Sequence, residues 1–125
     1  MGATERLHGE QILILEEHPE IAALIAGMIE ALGGRVVGPT GQPAEALRLL
    51  VEQDVEAAIL DVKIEGEPTT PIAEELIRRG IPWAFTSANR QNRLRQRYPE
   101  AHIVRKPFSA DQLRDELVSL LKRIA

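Results

Sequence analysis

The sequence predicts an α/β protein, a parallel sheet covered on both faces by helices. Three observations lead there. Short apolar runs of strand length alternate five times with stretches of helical periodicity. The runs are continuously apolar, as strands buried on both faces are. Four of the five runs stop at acidic, hydroxyl or basic residues before the next helix begins. Strands linked by helical crossovers lie parallel, so those polar residues share one edge of the sheet.

Residues 1–10 read as a polar lead-in and residues 11–125 as one domain. Ile12-Leu13-Ile14-Leu15 forms the first strand and stops at Glu16-Glu17. Pro19 suits the first turn of a helix, and Ile21, Leu24, Ile25, Met28, Ile29 and Leu32 recur at helical spacing. Gly33-Gly34 ends that helix. Val36-Val37-Gly38 is a second short strand. Pro43 opens a second helix with Ala46, Leu47, Leu50 and Val51 on one face. Ala57-Ala58-Ile59-Leu60 is the third strand and ends in Asp61. Thr70-Pro71 reads as a cap followed by a first-turn proline, and Ile72, Ala73, Leu76 and Ile77 mark the third helix, closed by Gly80. Ile81 to Phe85 is the fourth strand, ending in Thr86-Ser87. Residues 90–98 are Arg-rich and weakly helical, so a fourth helix there is expected to be short or irregular. Ile103-Val104 is the fifth strand, ending in Arg105-Lys106-Pro107. Ser109 and Gln112 form a capping box for a last helix with Leu113, Leu117, Leu120, Leu121 and Ile124 on its apolar face.

The totals bound the function. A chain of 125 residues fits one domain, and its net charge of −4 gives no general reason to expect DNA or membrane binding. With no cysteine, disulfides, thiol catalysis and Cys-ligated metals are excluded. No apolar run approaches the roughly 20 residues of a membrane span, and the N-terminus lacks an apolar secretory segment. A cytoplasmic protein is the simplest expectation. Met1-Gly2 invites a myristoylation reading, but Arg6 stands where that pattern wants Ser or Thr. The start and the complete final helix suggest a full-length chain.

The chemistry gathers at the strand ends: Glu16 and Glu17, Asp61, Thr86 and Ser87, and Lys106. Clustered carboxylates repel one another and call for a counter-charge. A hard divalent cation such as Mg²⁺ supplies it, using few carboxylates and keeping waters. Phosphoryl transfer needs positive charge and hydrogen-bond donors around the moving oxygens, which a metal, Lys106 and the Thr86 hydroxyl would provide. Asp61 is then a nucleophile able to form an acyl phosphate.

These segments resemble a known family. Ile-Leu-Ile-Leu-Glu16-Glu17-His-Pro, Ala-Ile-Leu-Asp61-Val-Lys-Ile-Glu-Gly66, Phe-Thr86-Ser87-Ala and Val-Arg-Lys106-Pro107-Phe108 are similar, in order and spacing over about residues 11–122, to the receiver domain of two-component response regulators. The resemblance implies a flavodoxin-like, doubly wound sheet of order 2-1-3-4-5. It implies Asp61 as phosphoacceptor, with Glu16 and Glu17 as the acid pair that holds Mg²⁺. Lys63 would give its backbone carbonyl to the metal. Thr86 would be the switch hydroxyl, with Ser87 as the neighbouring candidate, and Lys106 the lysine that pairs with aspartate or phosphate. The implied partners are a sensor histidine kinase or histidine phosphotransfer protein and a downstream protein target. Val36-Val37-Gly38-Pro39, Ile81-Pro82-Trp83 and Phe85-Thr86-Ser87-Ala88 further resemble an atypical group of single-domain receivers with a Phe-Ala-Thr-Gly-like fourth-strand ending.

The chain departs from the family pattern in four places. Both members of the acid pair are Glu, whose extra methylene moves the carboxylate outward from an ion with strict octahedral demands. Ile103 stands where an aromatic residue often reports phosphorylation. The stretch from Thr86 to Lys106 is Arg-rich, with Arg90, Arg93, Arg95 and Arg97, and Glu65 occupies a spot where many receivers carry proline. The arginines read as a solvated face, or as partners of Asp111, Asp115 or Glu116 of the last helix across a homodimer. His18 reads as a residue at the start of the first helix. His8 and His102 have no cluster to join, and Gly38, Gly41 and Gly66 lack phosphate-loop spacing. The expected function is therefore a phosphoacceptor rather than an enzyme acting on a separate substrate. The alternative is a pseudo-receiver, a phosphorylation-independent interaction module. A metal-dependent phosphatase ranks below both, because Lys63 stands where that class needs a second aspartate.

Overall fold

The computed structural model describes residues 6–64, 67–87, 96, 98–99 and 101–122. Among these, seven strands and four helices follow in order: β1 (Gln11–Leu15), α1 (Pro19–Ala31), β2 (Arg35–Thr40), α2 (Pro43–Glu52), β3 (Ala57–Asp61), β4 (Lys63–Ile64), β5 (Glu67–Pro68), α3 (Thr70–Arg79), β6 (Trp83–Ser87), β7 (His102–Arg105) and α4 (Ala110–Lys122). Five strands form one sheet in the order β2-β1-β3-β6-β7, all paired parallel. Counted along the chain that is 2-1-3-4-5, the doubly wound arrangement anticipated above. The short β4 and β5 pair antiparallel.

The apolar strands are buried on both faces because their alternate residues feed two cores. Leu13 and Leu15 of β1 pack with Ala46, Leu50, Ile72 and Leu76 of α2 and α3. Ile12 and Ile14 pack with Ile25, Ile29, Leu113 and Leu117 of α1 and α4. Helices α1 and α4 thus cover one face, and α2 and α3 the other.

The boundaries depart from the sequence reading in physical ways. Strand β2 runs on through Pro39 to Thr40, which the sheet tolerates because β2 is an edge strand. Ile81 precedes its strand rather than opening it; its N–H closes α3 on the Leu76 carbonyl at 2.9 Å. Helix α3 begins at Thr70, so Thr70 is its first residue and Thr69 holds the cap position, with no side-chain capping bond. The hairpin β4–β5 has no apolar run and escaped the periodicity reading. Four residues expected on apolar helix faces lie outward: Leu24, Leu47, Val51 and Ile77 are 62%, 39%, 71% and 51% exposed. The capping box is as read, with Gln112 N–H donating to Ser109 Oγ at 3.1 Å and Ser109 N–H to Gln112 Oε1 at 2.7 Å. The expected fourth helix at residues 90–98, with Arg90, Arg93, Arg95 and Arg97, and the positions Glu65, Gly66 and Ile124 lie outside the described residues. In α4, Arg114 contacts Asp111 and Asp115, and Glu116 meets His102, so the three acids of the last helix have partners within the chain.

Candidate phosphoacceptor site

Strand order reverses between β1 and β3, and an open parallel sheet holds its ligands at the carboxyl ends of such a pair. Backbone hydrogen bonds carry the sheet one residue past the strand ends. Glu16 N–H donates to Thr40 O at 2.9 Å, Val62 N–H to Thr86 O at 3.3 Å, and Lys106 N–H to Ser87 O at 2.8 Å. That continuity fixes where the strand-end side chains start. Asp61 and Thr86 are direct neighbours in the β3–β6 register.

Three of the expected residues meet. Lys106 Nζ lies 2.8 Å from Glu16 Oε1 and 3.7 Å from Asp61 Oδ2. Glu16 is buried, its side chain 1% exposed, while those of Asp61 and Lys106 are 13% and 15% exposed. Glu17 sits at the rim, 35% exposed, and lines an open groove of about 530 Å³ with Glu16, Thr40 and Gln42. Thr86 is fully buried, and its Oγ1 finds no hydrogen-bond partner among the described residues. Ser87, also buried, offers its carbonyl to Lys106. Lys63 opens β4 two residues after Asp61, its backbone paired with Pro68. The Lys106–Pro107 peptide bond is cis.

The electrostatics follow from this placement. Burial raises the pKa of Asp61, the nearby Glu16 charge raises it further, and Lys106 only partly opposes them. Glu16 is also penalised by burial, but the Lys106 hydrogen bond, the His18 backbone N–H and the Lys106 charge outweigh that and hold it below the ordinary carboxylate value. The pocket thus has more negative charge than Lys106 neutralises, the condition that favours a divalent cation. Glu16 and Asp61 offer hard oxygen donors suited to Mg²⁺, so the residues fit the ion; it would supply charge neutralisation for a phosphoryl group next to the orphaned Thr86 hydroxyl.

Two participants were not read as site residues from the sequence. His18 caps α1 without a side-chain capping bond. Its backbone N–H donates to Glu16 Oε2 at 3.1 Å, and its Nδ1 lies 3.2 Å from the same oxygen. Glu16, His18 and Asp61 each place one donor atom within 4.8 Å of the others. Thr69 is fully buried, and its hydroxyl donates to the carbonyls of Asp61 and Val62 at 2.5 and 3.1 Å, fixing the backbone that carries Asp61. The chain signal for His18 was its place directly after the acid pair. For Thr69 it was the Thr69-Thr70-Pro71 helix start.

A doubly wound sheet with an aspartate, a glutamate and a lysine converging at the β1–β3 edge defines a receiver-type domain. Residues 12–118 match the response regulator receiver domain, and the chain belongs to that family. Among solved structures it is similar to the response regulator PhyR from Brucella abortus, 28% identical with a TM-score of 0.86 over 98% of this chain and 52% of that one. It is also similar to SdrG from Sphingomonas melonis Fr1, 35% identical with a TM-score of 0.80 over 90% of this chain and 97% of that one. A third is the BeF3-activated conformation of SdrG from Pseudomonas melonis Fr1, 34% identical with a TM-score of 0.78 over 97% and 99% of the two chains. The chain spans about half the length of the PhyR chain and nearly all of SdrG. No curated protein matches the sequence.

Proposed function

We propose that Asp61 accepts a phosphoryl group, with Mg²⁺, from a sensor histidine kinase or histidine phosphotransfer protein, and that the domain then signals by binding a downstream protein. The observation that carries this reading is the placement of the Asp61 carboxylate 3.7 Å from Lys106 Nζ and directly beside Thr86 in register. Asp61 Oδ attacks phosphorus and the donor nitrogen leaves. Lys106 neutralises charge on the phosphoryl oxygens, an ion held by Glu16 and Asp61 would add positive charge there, and the unpartnered Thr86 hydroxyl donates to one of them. Thr86 is favoured over Ser87 as that donor for this reason. The role of phosphoacceptor, with self-catalysed transfer and hydrolysis, is the whole of the proposed chemistry. BeF3 bound to a carboxylate imitates an acyl phosphate, so the BeF3-activated form of SdrG supports the same chemistry here.

The test is intact mass after incubation with Mg²⁺ and acetyl phosphate. The parent should gain one phosphoryl group and Asp61→Asn none. Labelling that persists in the variant would defeat the assignment.

One observation favours the pseudo-receiver reading. Both Glu16 oxygens already have partners, Oε1 in Lys106 and Oε2 in the His18 N–H. No phosphoryl gain with acetyl phosphate and with a panel of kinases at high Mg²⁺ would select it.

A further inference from the structure

We propose that His18, through Nδ1, is a ligand of the divalent ion at this site, and that the site therefore favours a first-row transition-metal ion such as Mn²⁺ over Mg²⁺ more than an all-oxygen site would. The proposal rests on the metal-dependent reading above.

The geometry carries it. Around an octahedral ion with bonds of about 2.1 Å, neighbouring ligand atoms stand about 3.0 Å apart and opposite ones about 4.2 Å. Nδ1 of His18 and Oε2 of Glu16 are 3.2 Å apart, close to the neighbouring edge of such an octahedron. One donor each from Glu16, His18 and Asp61 lies within 4.8 Å of the others, so an ion meeting all three needs only small side-chain adjustments. Glu16 Oε2 accepts the His18 N–H, yet a carboxylate oxygen has a second lone pair to give.

The local fold explains why the ring is there. Ser, Thr, Asp or Asn at this position would turn its side chain back to cap the helix. His18 makes no such bond, and its ring lies between the acids instead, with Nε2 3.9 Å from Glu17 Oε2. The ring is 58% exposed, which leaves solvent to fill the remaining positions. Carboxylate and water suit Mg²⁺ and Mn²⁺ alike, whereas imidazole belongs with transition metals. Replacing one oxygen donor by Nδ1 therefore biases the choice. The fully buried Thr86 hydroxyl, without a partner beside Asp61, is a second sign that the pocket is built to receive something.

The experiment is electron paramagnetic resonance on the metal-free full chain titrated with MnCl₂, with electron spin-echo modulation to detect ligated nitrogen. The parent should bind Mn²⁺ and show the ¹⁴N coupling of a coordinated imidazole. His18→Ala should abolish that coupling and weaken Mn²⁺ binding by at least about tenfold, while Mg²⁺ binding, read by competition, falls less. The exposed ring without a capping bond makes this substitution mild for the fold, and the nitrogen signal of the parent needs no variant at all. Mn²⁺ bound in an Asp61-dependent way without nitrogen coupling would overturn the role of His18 and leave the metal reading standing. Failure of both ions to bind would overturn both.

Discussion

Lys106 reaches Glu16 at 2.8 Å but stands 3.7 Å from Asp61, so its ammonium favours one carboxylate over the other. Asp61 is left with burial and a like charge, both of which raise its pKa. A carboxyl whose folded pKa lies above its unfolded one binds extra protons when folded. Its contribution to stability is full below the ordinary carboxylate range near pH ~4 and is lost as pH rises through the raised value. In chelator, Asp61→Asn should therefore melt higher than the parent at pH 7, with the gap narrowing on acidification towards that range. Thermal scans across pH check this, and a variant less stable at pH 7 would count against it. Asp61, Glu16, Thr86 and Lys106 were legible in the sequence because a strand end fixes where a side chain starts. His18 and Thr69 were not. Their contacts depend on how the chain turns after β1 and on a hairpin that returns residue 69 to residue 61, and neither path is written in hydrophobic periodicity.

At the scale of elements, the helix ends show what the sequence does and does not reveal. Gly33-Gly34 was read as a stop, and the structure shows why glycine is needed. Gly33 has φ +99°, and a Cβ there would lie 2.5 Å from the Leu7 carbonyl oxygen. The same turn is pinned by Leu7 N–H donating to Leu32 O at 2.8 Å, which ties the segment before β1 to the end of α1. Gly33→Ala should destabilise the protein by about 2 kcal/mol or more, since it combines a left-handed backbone with a backbone clash. Urea unfolding measures it; a change below about 0.5 kcal/mol, the range of ordinary surface substitutions, would contradict the account. The apolar faces were legible in phase but not in width. In α2 only Ala46 and Leu50 are buried, while Leu47 and Val51, one residue on from each, face outward. A helix lying on a flat sheet buries a narrow stripe, and periodicity alone does not say how narrow.

For the whole molecule, the sheet joins two cores, and the charged edge lies where β1, β3, β6 and β7 end together. The fold class was legible because five buried runs with helical crossovers admit few topologies, whereas the strand order, found as 2-1-3-4-5, was legible only through the resemblance to receiver domains. An ion that binds only the folded edge stabilises the entire domain by mass action, by about 2.7 kcal/mol at a hundredfold excess over its Kd. Mg²⁺ should accordingly raise the melting temperature of the parent by several degrees and leave Asp61→Asn nearly unmoved. Equal shifts in both would place the ion elsewhere.

Away from that edge, Trp83, Phe85 and Tyr98 meet in an aromatic cluster on the α2–α3 face. Tyr98 and Trp83 are the one tyrosine and the one tryptophan of the chain, edge to face with ring centroids 6.1 Å apart. The Tyr98 hydroxyl also donates to Glu74 of α3 at 3.3 Å. At such a separation, light absorbed by the phenol is handed to the indole before it can be emitted. The domain therefore carries its own optical gauge. Its emission should be tryptophan-like while Tyr98 stays docked on Trp83, and a tyrosine band would report loss of that contact.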